Sequence, residues 1–384
     1  MNKFLKLLFS VFLVLLFETS ISYTEETRIK IGVLVPLSGE NAPLGKQILN
    51  SIRMALIDIK NNNIEIYPKD TRSDPEITLR SALEFEKMGI SLVIGPVFHK
   101  NLLFLNKVKN ITFLSLTNKT LDLHKNVISS GINSSSQLNT IKKFLEKNEI
   151  KKTIFLIPNL NYDLEIKKGI KESKIKFFKQ YNYDIDPTKL TKQIEKITNY
   201  GIRKQNLLDE ILRVENSDDP NKEKIIENLE KKYTLGKIKF DSVIITDFDE
   251  SLKSVITSLL YTDVSPKNKY IITLNQWFDE SLLKEKNLQP IYYPSINKQN
   301  LDDFTNKFFK KFNYKPNYLS LLSYDLIGLI YYLSLKNETL EISKSFKTQN
   351  TFKGKIGVFE IKDNKINHQL NFYKINDGKF KEIF

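Results

Sequence analysis

Cysteine is absent from all 384 residues. That excludes disulfides, thiol catalysis, thiolate metal ligands and a bacterial lipid anchor attached at a signal-peptide cleavage site. Histidine is almost as scarce. His99, His124 and His368 are the whole set, and no two stand at a metal-pair spacing such as i and i+4. No Gly-x-Ser-x-Gly elbow occurs. Carboxylate pairs such as Asp218–Asp219 and Asp302–Asp303 sit in turn or helix-start contexts, where capping and solvation account for them. The chain thus offers no catalytic constellation, and it reads as a non-enzymatic protein with no metal and no cofactor. Tryptophan occurs once, as Trp277.

The stretch "VLVPLSGENAPLGKQ", Val33 to Gln47, invites a phosphate-cradling reading and fails it. A P-loop has four residues between its glycines and Ser or Thr after the lysine. Here five residues separate Gly39 from Gly45, and Gln47 follows Lys46. Glu40 inside the loop would repel the phosphates as well. The net charge of +14 is no nucleic-acid footprint either, because arginine is scarce and the lysines are interleaved with Glu and Asp along the chain. It describes a solvated, lysine-rich surface, and no nucleic-acid partner is expected.

Lys3 and Lys6 precede an apolar run from Leu7 to Phe17, and Ser20-Ile21-Ser22 then supplies small residues before a cut. This is the pattern of a signal peptide over residues 1–22, giving a periplasmic chain that starts at Tyr23. The run is short of the roughly 20 residues that span a bilayer, and no transmembrane segment is expected after cleavage. From Arg28 onward, short apolar β-branched runs alternate with stretches of helical spacing: "RIKIGVLVP", "IEIYPKD", "SLVIGP", "ITFLSL", "NVISSG", "KTIFLIP", "DSVIITD" and "KYIITL" are strand candidates. Asp74-Pro75-Glu76 is a helix start. Such alternation predicts parallel sheets covered by helices, arranged here as two α/β, Rossmann-like lobes with a cleft between them. The charged stretch 187–236 reads as a two-helix insertion on the second lobe, with Leu207, Leu208, Ile211 and Leu212 as its apolar stripe.

"IKIGVLVPLSGENAPLGKQILNSIRMALIDI", "SLVIGP", "ITFLSLTNKT", "YKPNYLSLLSYDLIGLIYYL" and "FKGKIGVFEIKDNK" together resemble the leucine-binding-protein family of type I periplasmic binding proteins. The narrower segments "GPVFHKNLLFLN", "ITNYGIRKQNLLDEILRVE" and "TLNQWFDESLL" are similar to the penicillin-binding protein activator branch. The resemblance implies two lobes joined by a three-crossing hinge: residues 23–120 and 294–350 in the first, 121–293 and 351–384 in the second. It implies either a receptor that delivers an amino-acid-like or carboxylate ligand to a membrane permease, or a regulator that contacts a cell-wall synthase.

Ligands of open α/β sheets sit at the carboxyl ends of strands, and free N–H groups at a helix start favour an anion. Ser38, Gly39 and Asn41 after the first strand are therefore candidates, although Ser38-Gly39 alone also makes a tight turn. Gly95 and His99 follow the third strand, and Ser115 and Thr117 the fourth; Thr117 is the foremost candidate. On the second lobe the candidates are Tyr162, Asp247, Asp249 and Glu250; Asp247 stands at the strand end for a ligand's ammonium, with capping of the next helix as the other reading of this acidic cluster. Trp277 either stacks on a ligand or packs in a core.

Overall fold

In the computed structural model, residues 28–60, 63–336, 345–346 and 350–384 are described. The signal-peptide expectation for residues 1–22 lies outside them. Fifteen strands among the described residues make two sheets. The first contains β1 (Ile29–Val35), β2 (Ile64–Asp70), β3 (Leu92–Ile94), β4 (Thr112–Ser115) and β5 (Val127–Ser129), all mutually parallel. The second contains β6 (Thr153–Pro158), β7 (Lys179–Tyr183), β8 (Ser242–Ile245), β9 (Tyr270–Thr273) and β10 (Ile291–Ser295), again parallel. Apart from the polar edge strands β2 and β7, these strands are short and apolar because helices cover both faces, so no polar face is called for. Asp74 caps the helix Pro75–Lys87 by accepting from the N–H groups of Glu76 and Ile77, as its sequence context requires.

The last five strands are shared out between the lobes. β11 (Asn350–Lys353), β12 (Val358–Lys362) and β13 (Lys365–His368) extend the first sheet, with Lys365 beside Ser129. β14 (Asn371–Asn376) extends the second by antiparallel pairing with β10, and β15 (Lys379–Glu382) pairs antiparallel with β14. This differs from the expected boundaries in two places. Val127–Ser129 belongs with the first sheet, because its apolar residues complete the parallel ladder beside Phe113–Ser115. The strands from 350 to 368 do too, since they cover the edge that β5 would otherwise leave open. The chain therefore changes sheet at 130–133, 296–297 and 369–370.

Two of those crossings are stitched together. Asn133 Oδ1 accepts from Ser136 N (2.9 Å) while its Nδ2 donates to Ile366 O (2.9 Å). His368 N donates to Ser136 Oγ (2.9 Å), and the His368 ring lies 3.0 Å from Ser130 O. The helix Tyr318–Lys336 is long and apolar enough to cross a membrane by length and composition, yet more than half of it is buried. Its Leu322, Leu326, Ile330 and Leu333 belong to the main core, and Ser320 O accepts from Ser51 of the helix Ala42–Ile59. It is the first lobe's central helix.

Residues 187–236 hold three helices where two were expected, and they do not behave as one insertion. The helix Pro187–Thr198 is part of the lobe, since Leu190 and Ile194 are fully buried in the main core. Only Tyr200–Glu215 and Lys222–Glu230 form an excursion, with a small core of Leu207, Val214 and Leu229. The four-residue stripe is corrected accordingly: Leu207 is buried and Ile211 packs beside it, but Leu208 and Leu212 are 47% and 55% exposed. Their places on the packed face are taken by Arg203 and Val214.

Arg203 is the plug of this excursion. Its guanidinium is buried and donates to Thr198 O, Thr234 Oγ1 (2.7 Å) and Thr262 O, with Asp263 3.6 Å away. Removing it would leave those acceptors unsatisfied in a dry site. Arg203→Ala is expected to lower unfolding free energy by about 3 kcal/mol, read from urea denaturation. An unchanged midpoint would mean that the excursion is not held through this side chain.

Candidate functional site

The strand ends build the first wall of the cleft. At the end of β3, Gly95 has φ = +101°, and a Cβ there would stand 2.1 Å from Leu34 O, so only glycine fits. The chain then turns into a short 3-10 segment, His99–Leu102. At the end of β4, Ser115 Oγ donates to Pro96 O (2.8 Å), tying the two strand-end loops together. Thr117 follows with its carbonyl accepting from Gly131 N (2.9 Å) and Ser129 Oγ (2.7 Å). Its Oγ1 accepts from Lys119 N (3.2 Å), leaving the hydroxyl proton free to donate.

These loops meet the second lobe across an inner chamber of ≈ 500 Å³. Thr117, His99, Lys100, Asn118 and Lys119 supply its polar groups from the first lobe, and Gln137, Phe248, Asn275 and Trp277 face them from the second. An outer chamber of ≈ 760 Å³ adjoins it, with Phe248, Asn275 and Trp277 common to both. Asp249, Glu250, Asp279 and Glu280 line the outer chamber, together with Lys315 and Tyr318 of the first lobe. Trp277 stacks on Tyr318 at 4.6 Å between ring centroids and 16° between planes, so an aromatic pair bridges the lobes at the boundary of the chambers. Burial, followed by the negative charges of Asp279 and Glu280, pushes the Tyr318 phenol above its ordinary pKa.

A second bridge lies beneath the chambers. Glu165, buried on the helix Asp163–Ser173 of the second lobe, accepts from Thr120 N (2.8 Å), Thr120 Oγ1 (3.0 Å) and Leu121 N (2.7 Å). Lys168 Nζ donates to Thr120 O (2.7 Å). The loop that carries Thr117 and Lys119 into the cleft is thereby clamped from the opposite lobe.

Of the sequence candidates, His99, Thr117 and Trp277 converge on the inner chamber, with Gly95 and Ser115 shaping its floor from behind, and Asp249 and Glu250 line the outer one. The others are engaged elsewhere. Ser38 Oγ donates to Asp70 Oδ2 (2.5 Å), Leu37 N to Asp70 Oδ1 (2.7 Å), and Asn41 Nδ2 to Ser73 Oγ (3.1 Å). Gly39, at φ = +74° with open space around it, makes the turn. The opening loop is thus a cap on Asp70. Burial alone would raise the Asp70 pKa, but the bonds from Ser38, Leu37 and Arg72 outweigh it and hold the carboxyl below its ordinary value. Asp247 is likewise spent: its carboxylate accepts from Tyr183 Oη (2.6 Å), Ser251 Oγ (2.7 Å) and Phe248 N (2.9 Å). Tyr162 Oη donates to Thr246 O (3.1 Å), and the ring supports Phe248 from behind. Both help position Phe248, and Asp247 takes the local-bonding role that its helix-start context allowed.

Sequence reasoning missed Lys119, Phe248, Asn275, Asp279, Glu280 and Tyr318. The run "TLNQWFDESLL" at the end of β9 held three of them, Asn275, Asp279 and Glu280, and a strand-end position next to the only tryptophan was the available signal.

The geometry has relatives. The sequence profile of a family described as periplasmic binding protein matches residues 28–202, a little under half of the chain. A putative branched-chain amino acid ABC transporter protein from Rhodospirillum rubrum superimposes with a TM-score of 0.70 at 12% identity, covering 93% of this chain and 100% of its own. The chain has the type I periplasmic binding protein fold. A substrate-binding protein from Desulfitobacterium hafniense, solved with Leu, gives 0.60 at 14% identity over 93% of this chain and 100% of its own. The C-domain of LpoA from Haemophilus influenzae, a regulator of PBP1A, gives 0.61 at 14% identity over 92% and 100%. No curated protein sequence matches the chain. Periplasmic binding proteins of this fold thus include both solute-binding and regulatory neighbours.

Proposed function

We propose that this is an exported, non-enzymatic binding protein that takes a small carboxylate or amino-acid-like ligand between its lobes. The observation that carries the reading is the inner chamber, where a free hydroxyl on Thr117 and the side chains of His99, Lys100 and Lys119 converge without any acidic lining residue. Such a set suits an anion, with Leu116, Ile132, Leu319 and Leu322 as its apolar surroundings. A ligand touching both lobes favours the arrangement in which they meet, and a membrane permease would read that arrangement. Binding to the native state raises the melting temperature by mass action. A panel of amino acids and small carboxylates is expected to contain a stabilising member, and Thr117→Ala should weaken its binding by about 1 kcal/mol or more. A flat panel would contradict the reading.

A second reading, contact with a cell-wall synthase, draws on the excursion. Leu208 and Leu212 are exposed one helical turn apart on Tyr200–Glu215, and the fold is shared with the LpoA domain. Under this reading a synthase co-purifies with the intact protein, and Leu208→Asp with Leu212→Asp abolishes recovery while leaving the melting temperature within a few degrees, as surface changes do. Co-purification that survives the double substitution would place the contact elsewhere.

A further inference from the structure

We infer that the ligand is a short peptide with both ends free, its carboxylate in the inner chamber and its ammonium in the outer one. This rests on the cleft being a binding site, as proposed above, and adds what kind of molecule fills both halves of it.

The cleft is electrically polarised. The inner chamber is lined by His99, Lys100 and Lys119 and by no carboxylate, while the outer chamber carries four carboxylates against Lys315. On a chain of net charge +14 a concentration of acids is against the general trend. Glu250 is partly neutralised by Lys253 (2.7 Å) and Asp279 is bonded to Ser281. Asp249 and Glu280 make no side-chain hydrogen bond or ion pair among the described residues and remain available. The Trp277–Tyr318 stack adds an aromatic surface of the kind that attracts an ammonium group. A dicarboxylate would leave the outer acids unmatched, and a polyamine would leave the inner cations unmatched. A zwitterion long enough to reach both matches each.

An independent observation lies at the junction. Asn275 is 4% exposed and lines both chambers. Its Oδ1 accepts from Trp277 N (2.9 Å) and Ser295 Oγ (2.8 Å), which fixes the amide's orientation. Its Nδ2 has no acceptor among the described residues. A buried donor without a partner is destabilising, and an amide carbonyl of a ligand passing from one chamber to the other would satisfy it. Size agrees. Each chamber is within the ~300–1,000 Å³ range of sites for drug-sized ligands, so the pair suits a peptide of about two to four residues better than one amino acid.

Calorimetric titration of the intact mature protein tests this with a panel of Ala-Xaa-Ala tripeptides, their N-acetylated and C-amidated forms, and the free amino acids. The best tripeptide is expected to bind at least about tenfold more tightly than its constituent amino acids, and to lose about tenfold on either acetylation or amidation. In the Asp249→Asn, Glu280→Gln double variant, which removes charge from exposed positions, the penalty for acetylation should fall below about threefold. If amino acids or small carboxylates bind as tightly as any peptide, or acetylated peptides as tightly as free ones, the peptide inference fails while the binding reading stands. If nothing in the panel binds and no small carboxylate does, both fail.

Discussion

Glu165→Ala is expected to destabilise the protein by about 3 kcal/mol, because three hydrogen bonds to one buried carboxylate disappear together and leave Thr120 N and Leu121 N unpartnered. Glu165→Gln should lose less, since its carbonyl oxygen still accepts from the Thr120–Leu121 backbone while the charge is gone. The effect should not stop at stability. This clamp holds the loop carrying Thr117 and Lys119, so the alanine variant should also bind any cleft ligand about tenfold more weakly, a loss of roughly 1.4 kcal/mol. Urea denaturation and calorimetric titration of the two variants measure both. A variant that loses stability but keeps full affinity would show that the clamp supports the fold and does not position the loop.

The second large effect is in the pH dependence of stability, where two buried groups act in opposite directions. His368 sits at the hinge with its Nδ1 unpartnered among the described residues, and burial pulls its pKa from 6.5 down to about 4. The unfolded chain then takes up a proton below pH 6.5 that the folded one refuses. Stability from this group is complete above 6.5 and lost as pH falls toward 4, by about 2 kcal/mol at pH 5. Asp325 is buried as well, and burial raises its pKa from 3.8 to about 6, against the N–H bonds from Ile356 and Lys355. Here the folded chain binds its proton first, so acidification through pH 6 stabilises, by about 1 kcal/mol at pH 5. The histidine is the larger of the two. Relative to the parent, Asp325→Asn should therefore lose more stability between pH 8 and pH 5, and His368→Gln should lose less or even gain. Parallel pH profiles for all three proteins would contradict both assignments.

How much of this was legible in the sequence follows from what each residue had to do. The parallel strands announced themselves because burial on both faces forces continuous apolar runs such as Ile31–Val35 and Thr153–Pro158. The placement of Val127–Ser129 and of β11–β13 did not, since three- and four-residue ladders carry too little pattern to say which sheet they join. At the site, Thr117 and Trp277 were found from strand-end position alone. Ser38 and Asp247 kept two readings open for a shared reason: a polar residue at a strand end can face the cleft or bond to its neighbour. Only the positions of Asp70, Tyr183 and Ser251 reveal that these two do the latter. Asn275, Asp279 and Glu280 depend on the segment after β9 of one lobe facing the helix Tyr318–Lys336 of the other, a long-range juxtaposition with no local signature.

Trp277 gives direct access to the central claim, that a ligand is held between the lobes. It is the only tryptophan, it lines both chambers, and it stacks on Tyr318 of the opposite lobe. Its emission therefore reports from the cleft and from nowhere else. Titrating the mature protein with the peptide, amino-acid and carboxylate panel while exciting this tryptophan should produce a saturable change in intensity or wavelength for at least one compound. The midpoint should agree with calorimetry and shift to higher concentration in Thr117→Ala. A compound that binds by calorimetry while the emission of Trp277 stays constant through saturation would place its site outside the cleft and contradict the account.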